Sequence, residues 1–269
     1  MSGAESGVFA YPEPASETGR MDVHFHAPAN WTSDGPVLIV LHGYKRNAET
    51  YCYDWKPEAD RLGALLLAPE FDQTGFPSPR AYEVGAMRTP DRKSFRPPEA
   101  WSFGAVDRVF DAARERFGAT RQTYWLYGHS AGGQFVHRLA LYIEDARFSH
   151  AIAANAGAYS ATDDGRFPYG LGHQHPERDV ANFLGRNLTI LLGQKDRNRT
   201  AKVLLRSPEA MRQGPHRLAR GRYFYQTGLR AAATMGVPCN WRIVEAPDAG
   251  HSNRALAPVA AELFAAAGA

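Results

Sequence analysis

Apolar residues recur along this chain in two alternating forms: short unbroken aliphatic runs, and longer stretches in which apolar positions return every three or four residues. Val37-Leu38-Ile39-Val40-Leu41, closed by His42-Gly43, is a run of the kind buried on both faces of a central strand. Ala64 to Ala68, closed by Pro69, is a second; Thr123 to Tyr127, Leu188 to Leu192 and Trp241 to Val244 give further strand signals, and Ser149 to Ala154 reads as a strand with alternating apolar positions. Between them, Phe103, Val106, Phe110, Ala113 and Phe117 return at helical spacing and stop at Gly118. Ala131 to Ile143 and Ala255 to Phe264 predict further helices. Asn47 to Leu62 predicts another, with Asn47 as its N-cap and Pro57 as an interruption or restart. Strand and helix alternate throughout, which predicts an α/β fold: a mainly parallel sheet covered by helices on both faces.

No linker divides the pattern, so residues 21–269 are expected to form one domain. Residues 1–20, with Glu5, Glu13, Glu17 and scattered Gly, Ser and Pro, read as an N-terminal extension free to be flexible. The Gly-, Pro-, His- and Asp-rich segment from Gly157 to Asn187 shows no sustained period and reads as an excursion over the sheet's edge. Residues 197–222 carry eight Lys or Arg against one acid, Glu209, and read as a basic insertion that is either a solvated face or an attractor of anions.

Composition narrows the function. Hydrophobic residues are 44% and charged residues 22% of the 269, as in a globular protein able to bury a large core. A net charge of +3 is too small to predict nucleic-acid binding. The longest apolar runs fall far short of a membrane span. Residues 1–20 lack the basic start and apolar run of a secretory signal, so a cytoplasmic location is expected. Cys52 and Cys239 lie too far apart in sequence for a metal-type spacing and read as buried small hydrophobes.

The strongest chemical signal is Gly128-His129-Ser130-Ala131-Gly132, which follows an apolar strand and opens an apolar-periodic helix. So sharp a turn needs small residues on both sides of the serine, and it leaves Ser130 projecting as a nucleophile. The helix start favours developing negative charge, making the Ala131 N–H one expected oxyanion donor. The loop His42-Gly43-Tyr44 is placed to supply the second, from the Tyr44 N–H. A serine needs a base, and the expected order is Ser, then an acid, then His. His251 follows the Trp241–Val244 strand through Pro247-Asp248-Ala249-Gly250, and Asp196 follows Leu188–Leu192 through Gly193-Gln194-Lys195. All three residues would lie at the carboxyl ends of strands, where open α/β sheets build their sites. Asp163, Asp164 or Asp248 could stand in for Asp196, Asp248 least well because it is so near His251 in the chain.

The remaining candidates read more plainly. His24 and His26 alternate on an expected strand and His173 and His175 lie on a loop, but neither pair suggests a third ligand, so no metal is expected. His129 is expected to point away from the serine as a structural residue, and it joins Tyr44, Trp101 and Tyr159 as residues that could meet substrate. Phe71, Phe167 and Tyr169 could complete an apolar wall, although core packing suits each of these aromatics singly. No phosphate loop or dinucleotide fingerprint is present, so no cofactor is implied.

With Tyr127-Gly128-His129-Ser130-Ala131-Gly132-Gly133, the Leu41-His42-Gly43-Tyr44 loop, Asp196 and Gly250-His251, the chain resembles the α/β-hydrolase superfamily over most of its length. Within it, the short architecture without a large helical lid resembles the poly(3-hydroxybutyrate) depolymerase and feruloyl-esterase group, which implies polyester or aryl-ester substrates. Depolymerases of that group are usually secreted, whereas this chain shows neither a signal peptide nor a Cys-rich framework, so an intracellular carboxylesterase is the expected activity. Its substrate would be a small or oligomeric ester, with the oligomeric state left open. The alternatives are a serine peptidase or amidase on the same fold, and a hydrolase-like protein that only binds a ligand.

Overall fold

The computed structural model describes residues 3–172 and 179–268. Its frame is one eight-stranded sheet: β1 (Glu5–Pro12), β2 (Arg20–Ala27), β3 (Val37–Leu41), β4 (Leu65–Pro69), β5 (Tyr124–His129), β6 (Phe148–Ala154), β7 (Leu188–Gly193) and β8 (Arg242–Ala246), in the spatial order β1-β2-β4-β3-β5-β6-β7-β8. The first two strands run antiparallel to their neighbours, and the other six are parallel. Among the described residues eight α-helices accompany it: α1 (Ala48–Leu62), α2 (Pro79–Glu83), α3 (Ala105–Phe117), α4 (Ala131–Tyr142), α5 (Val180–Gly185), α6 (Pro208–Gln213), α7 (Arg217–Met235) and α8 (Asn253–Gly268).

Because side chains alternate along a strand, β3 feeds two cores. Val37, Ile39 and Leu41 pack on the face covered by α3, α4, α5 and α7, while Leu38 and Val40 pack on the face covered by α1 and α8. Every residue of β3, β4, β5 and β7 is buried, which is why these strands read as unbroken apolar runs. Helix α1 runs through Pro57 without a break. The carbonyl that loses its donor is that of Tyr53, whose side chain is 70% exposed, so water can replace the missing N–H.

Residues 3–20 are not a loose extension. Glu5 to Pro12 pair residue for residue with Ala27 to Arg20, making β1 the edge of the sheet. The strand is followed by Glu13, whose fully buried carboxylate accepts from the Tyr11 hydroxyl at 2.6 Å and from Arg108 of α3 at 2.5 and 3.0 Å. Its exposed outer face hides β1 from an alternation pattern.

The segment after β6 packs onto helices rather than over a free edge. Arg138 of α4 is buried and donates to Ser160 Oγ at 3.0 Å, and the Tyr159 ring stacks on Phe224 of α7 at 4.6 Å. The basic stretch becomes α6 and the start of α7, and it is not one basic face. Arg217 and Arg220 are buried, Arg222 pairs with Glu245, and Arg212 pairs with Asp163. Cys52 is buried as expected, whereas Cys239 is only partly so. Among the described residues no helix is long and apolar enough to cross a membrane.

Candidate active site

Ser130 sits between β5 and α4 with φ of 59° and ψ of −109°, a conformation that non-glycine residues rarely adopt. Its N–H donates to Ala154 O of β6 at 2.9 Å, and its carbonyl accepts from Gln134 N at 3.1 Å, so the bend is held from both sides. The flanking glycines are required by contact: a Cβ on Gly128 would stand 2.3 Å from Gly132 O, and one on Gly132 would stand 2.3 Å from Leu41 O. Ala131 opens α4, where backbone N–H groups have no carbonyl one turn back to donate to.

The loop after β3 lies against this bend, and a Cβ on Gly43 would be 3.7 Å from Ser130 Cβ. His42 anchors the loop from inside. Phe71 N–H donates to its Nε2 at 3.1 Å, which leaves Nδ1 carrying the proton donated to Gly43 O at 2.9 Å. Burial holds the His42 pKa down to about 3, so the ring stays neutral. Tyr82 adds a hydroxyl bond to His42 O at 2.8 Å. The Tyr44 side chain, 48% exposed, stands at the mouth of this loop.

His251, between β8 and α8, brings Nε2 to 3.1 Å from Ser130 Oγ and Nδ1 to 2.7 Å from Asp196 Oδ2. With Nδ1–H given to the carboxylate, a neutral imidazole offers its Nε2 lone pair to the serine hydroxyl. Asp196 lies three residues beyond β7 in a tight turn closed by Asp196 N–H to Gly193 O at 3.0 Å. The alternative acids lie elsewhere: Asp163 is engaged by Arg212 and Tyr223, Asp164 lies beside Arg212, and Asp248 pairs with Lys195 at the surface.

Three supporting residues were not among the site residues expected from the sequence. Asn155, just past β6 with φ of 43°, accepts from Gly193 N at 2.9 Å and donates to Gly250 O at 2.9 Å. One buried side chain thus ties the turn before Asp196 to the residue before His251. Asn253, two residues past His251, accepts from Trp55 Nε1 at 3.3 Å and donates to Asp54 at 3.0 Å, fixing the start of α8 to α1. Arg217, the first residue of α7, is buried and donates to Asp196 Oδ1 at 3.5 Å. Only the bulk basic character of its stretch was visible in the sequence.

Of the residues expected to meet substrate, three are placed differently. His129 is buried with its Nδ1 2.9 Å from the Tyr51 hydroxyl, and its ring packs against that of His251 at 4.6 Å between centroids. Trp101 is buried, donates to Arg96 O at 2.8 Å and packs edge-on to Tyr142, while Tyr159 is sealed between His137 and Phe224. Large rings at these positions gain more from the core than an open site could offer. Phe71 is likewise buried, stacked on Tyr82, and Phe167 meets Phe95 edge-on. His24 and His26 stand beside Glu70 and Asp60 at 3.3 and 2.7 Å, and His173 and His175 lie outside the described residues. Among the described residues no group of three or more His, Cys, Asp or Glu is arranged to hold a metal.

No protein-family model matches the chain. The solved structure of poly(aspartic acid) hydrolase-1 from Sphingomonas sp. KT-1 superposes with a TM-score of 0.89 at 39% identity, covering 98% of both chains. The chain belongs to the α/β-hydrolase superfamily. Another superfamily member, the poly(3-hydroxybutyrate) depolymerase LpqC from Bordetella parapertussis, is 35% identical with a TM-score of 0.88 over 97% of this chain and 89% of its own. S-formylglutathione hydrolase from Agrobacterium tumefaciens, at 15% identity and a TM-score of 0.61, shares the α/β-hydrolase fold. Among curated sequences, the bifunctional acetylxylan esterase/xylanase XynS20E of Neocallimastix patriciarum is 24% identical over 165 residues, 60% of this chain. The match spans 22% of that relative's length.

Proposed function

We propose that this α/β hydrolase is a serine esterase that cleaves carboxylic esters through an acyl-enzyme. The observation that carries this reading is the unbroken hydrogen-bond chain from Ser130 through His251 to Asp196, at 3.1 and 2.7 Å. His251 Nε2 takes the Ser130 proton as Oγ attacks the acyl carbon, and the carbonyl electron pair moves onto oxygen. The Ala131 and Tyr44 N–H groups stabilise that oxyanion. The imidazolium then returns its proton to the departing alkoxide, leaving an acylated serine. Water attacks by the same route in reverse, releasing the acid and restoring Ser130. Asp196 keeps the imidazole in the required tautomer and balances its transient charge.

Ester chemistry is supported by the names of two relatives, a poly(3-hydroxybutyrate) depolymerase and an acetylxylan esterase. One observation favours amide cleavage instead: the 39% identical relative is a hydrolase of poly(aspartic acid), whose units are joined by amides. A fluorophosphonate probe should label the wild type within minutes at pH 7 and leave Ser130→Ala unlabelled. Paired ester and amide substrates of the same acyl group then separate the two readings by kcat/KM. An unlabelled wild-type protein that is folded would leave only ligand binding.

A further inference from the structure

Asp196 is a buried carboxylate whose two oxygens serve different partners. Oδ2 faces His251 Nδ1 at 2.7 Å, and Oδ1 faces the guanidinium of Arg217 at 3.5 Å. Both members of the second pair are buried, with side-chain exposures of 3% and 2%, so water screens their attraction very little. The placement is built into the fold. His216 caps α7 by accepting from Ala219 N at 3.2 Å, and Leu218 N–H donates to Asp196 O at 3.4 Å, which fixes the start of the helix against the turn that carries Asp196. A general acid–base pair does not require this cation. A permanent charge on the far oxygen draws negative charge away from the oxygen that the imidazole uses.

We propose that Arg217 is a positioning residue that shares the Asp196 carboxylate with His251 and thereby limits how strongly that carboxylate holds a protonated imidazole. The proposal rests on the reading of Ser130, His251 and Asp196 given above. A carboxylate shared in this way holds the imidazolium less tightly, which eases return of the proton to a leaving group. Removing the cation returns full carboxylate charge to the imidazolium, so the acid side of the rate profile should move toward higher pH.

Of the other groups around this pair, Arg220 is a second buried cation on α7, and its guanidinium is spent on the carbonyls of Gly214, Gly157 and Leu205 rather than on Asp196. His129, from β5, is kept neutral far below the usual histidine range by its burial and then by His251 and Arg217. Tyr159, after β6, is pushed up by burial and is neutral. His216 is held down by burial and then by Arg199 and Arg197. Lys195 and Asp248 pair with each other at the surface, where solvent screens them.

The test is the second-order rate of labelling by a neutral fluorophosphonate between pH 5 and 9, in the wild type and in Arg217→Met. The pH of half-maximal rate on the acid side should rise by about one unit in R217M, because losing a like charge on the shared carboxylate raises the proton affinity of the imidazole by about that much. In R217K, which keeps a cation on a shorter stem, the rise should be smaller. In Asp196→Asn, which removes the shared carboxylate, adding R217M should move the midpoint no further. An R217M protein whose rate falls by the same factor at every pH would overturn the proposal and leave Arg217 as packing. If R217M does not fold, the graded series Arg, Lys and Gln is read instead, and coincident midpoints across it would overturn the proposal. A wild type that the probe does not label would fail the underlying catalytic reading, a result distinct from either.

Discussion

The imidazole rings of His129 and His251 lie 4.6 Å apart and tilted by 40°, so the His251 ring rests on a second, neutral histidine. That histidine is held in turn by the Tyr51 hydroxyl at 2.9 Å. Tyr51→Phe removes the hydroxyl and leaves His129 Nδ1 buried without its partner. The expected cost is about 1–3 kcal/mol of stability, read from the urea midpoint, with a fall in kcat/KM of up to about 10-fold as the His251 ring gains freedom. An unchanged midpoint would show that the hydroxyl does not matter to the stack.

Asn155 offers a cleaner test of positioning, because glycine tolerates its φ of 43° while deleting both of its hydrogen bonds. Asn155→Gly should lower kcat/KM by about 10- to 100-fold through misplacement of the Asp196 and His251 turns. The bulk of the loss should be in kcat. Kinetics equal to the wild type would mean that the two turns hold their places without the bolt.

Stability should fall on the acid side well before the carboxylates titrate. Burial pushes His150 down to about 4 and His42 to about 3, and it holds His129 and His137 well below the ordinary value. An unfolded histidine binds a proton near pH 6.5. Below that pH the unfolded chain therefore carries more protons than the folded one, so stability rises with pH and is lost as pH drops. For His150 the loss accumulates from about 6.5 to about 4. Each such group contributes a slope of up to about 1.4 kcal/mol per pH unit. Urea unfolding at pH 7 and pH 5 should differ by several kcal/mol, and a flat profile would contradict the neutral assignment.

The edge of the sheet should be sensitive to a single charge. Arg108→Met leaves Glu13 fully buried with only the Tyr11 hydroxyl and the Ala15 N–H to satisfy it. The expected loss is about 2–3 kcal/mol, below the full cost of an orphaned buried charge because Arg108 is itself 33% exposed. Glu13→Gln in the same background should recover part of it, measured as the change in Tm.

The central strands were legible in the sequence because burial on both faces demands unbroken apolar runs, and β3, β4, β5 and β7 each coincide with one to within a few residues. The bend around Ser130 was legible because the 2.3 Å contacts at Gly128 and Gly132 admit no side chain. Strand β1 was not, since its exposed outer residues gain their order only by pairing with β2. The long helix α7 was masked by its arginines, two of which turn inward to partners brought there by the fold: Arg217 to Asp196, and Arg220 to Gly157 O and Leu205 O at 2.6 Å each. A guanidinium reads as surface until the carbonyls that receive it are known. The same holds for Asn155, whose two partners lie 38 and 95 residues away.

Ser130 and His251 are separated by 121 positions along the chain, with Asp196 between them and strands β6, β7 and β8 interposed. No excised fragment that omits either end of that span can carry both groups. Turnover is therefore a gauge of complete assembly: a partly folded population should read as fewer working molecules rather than as uniformly slower ones.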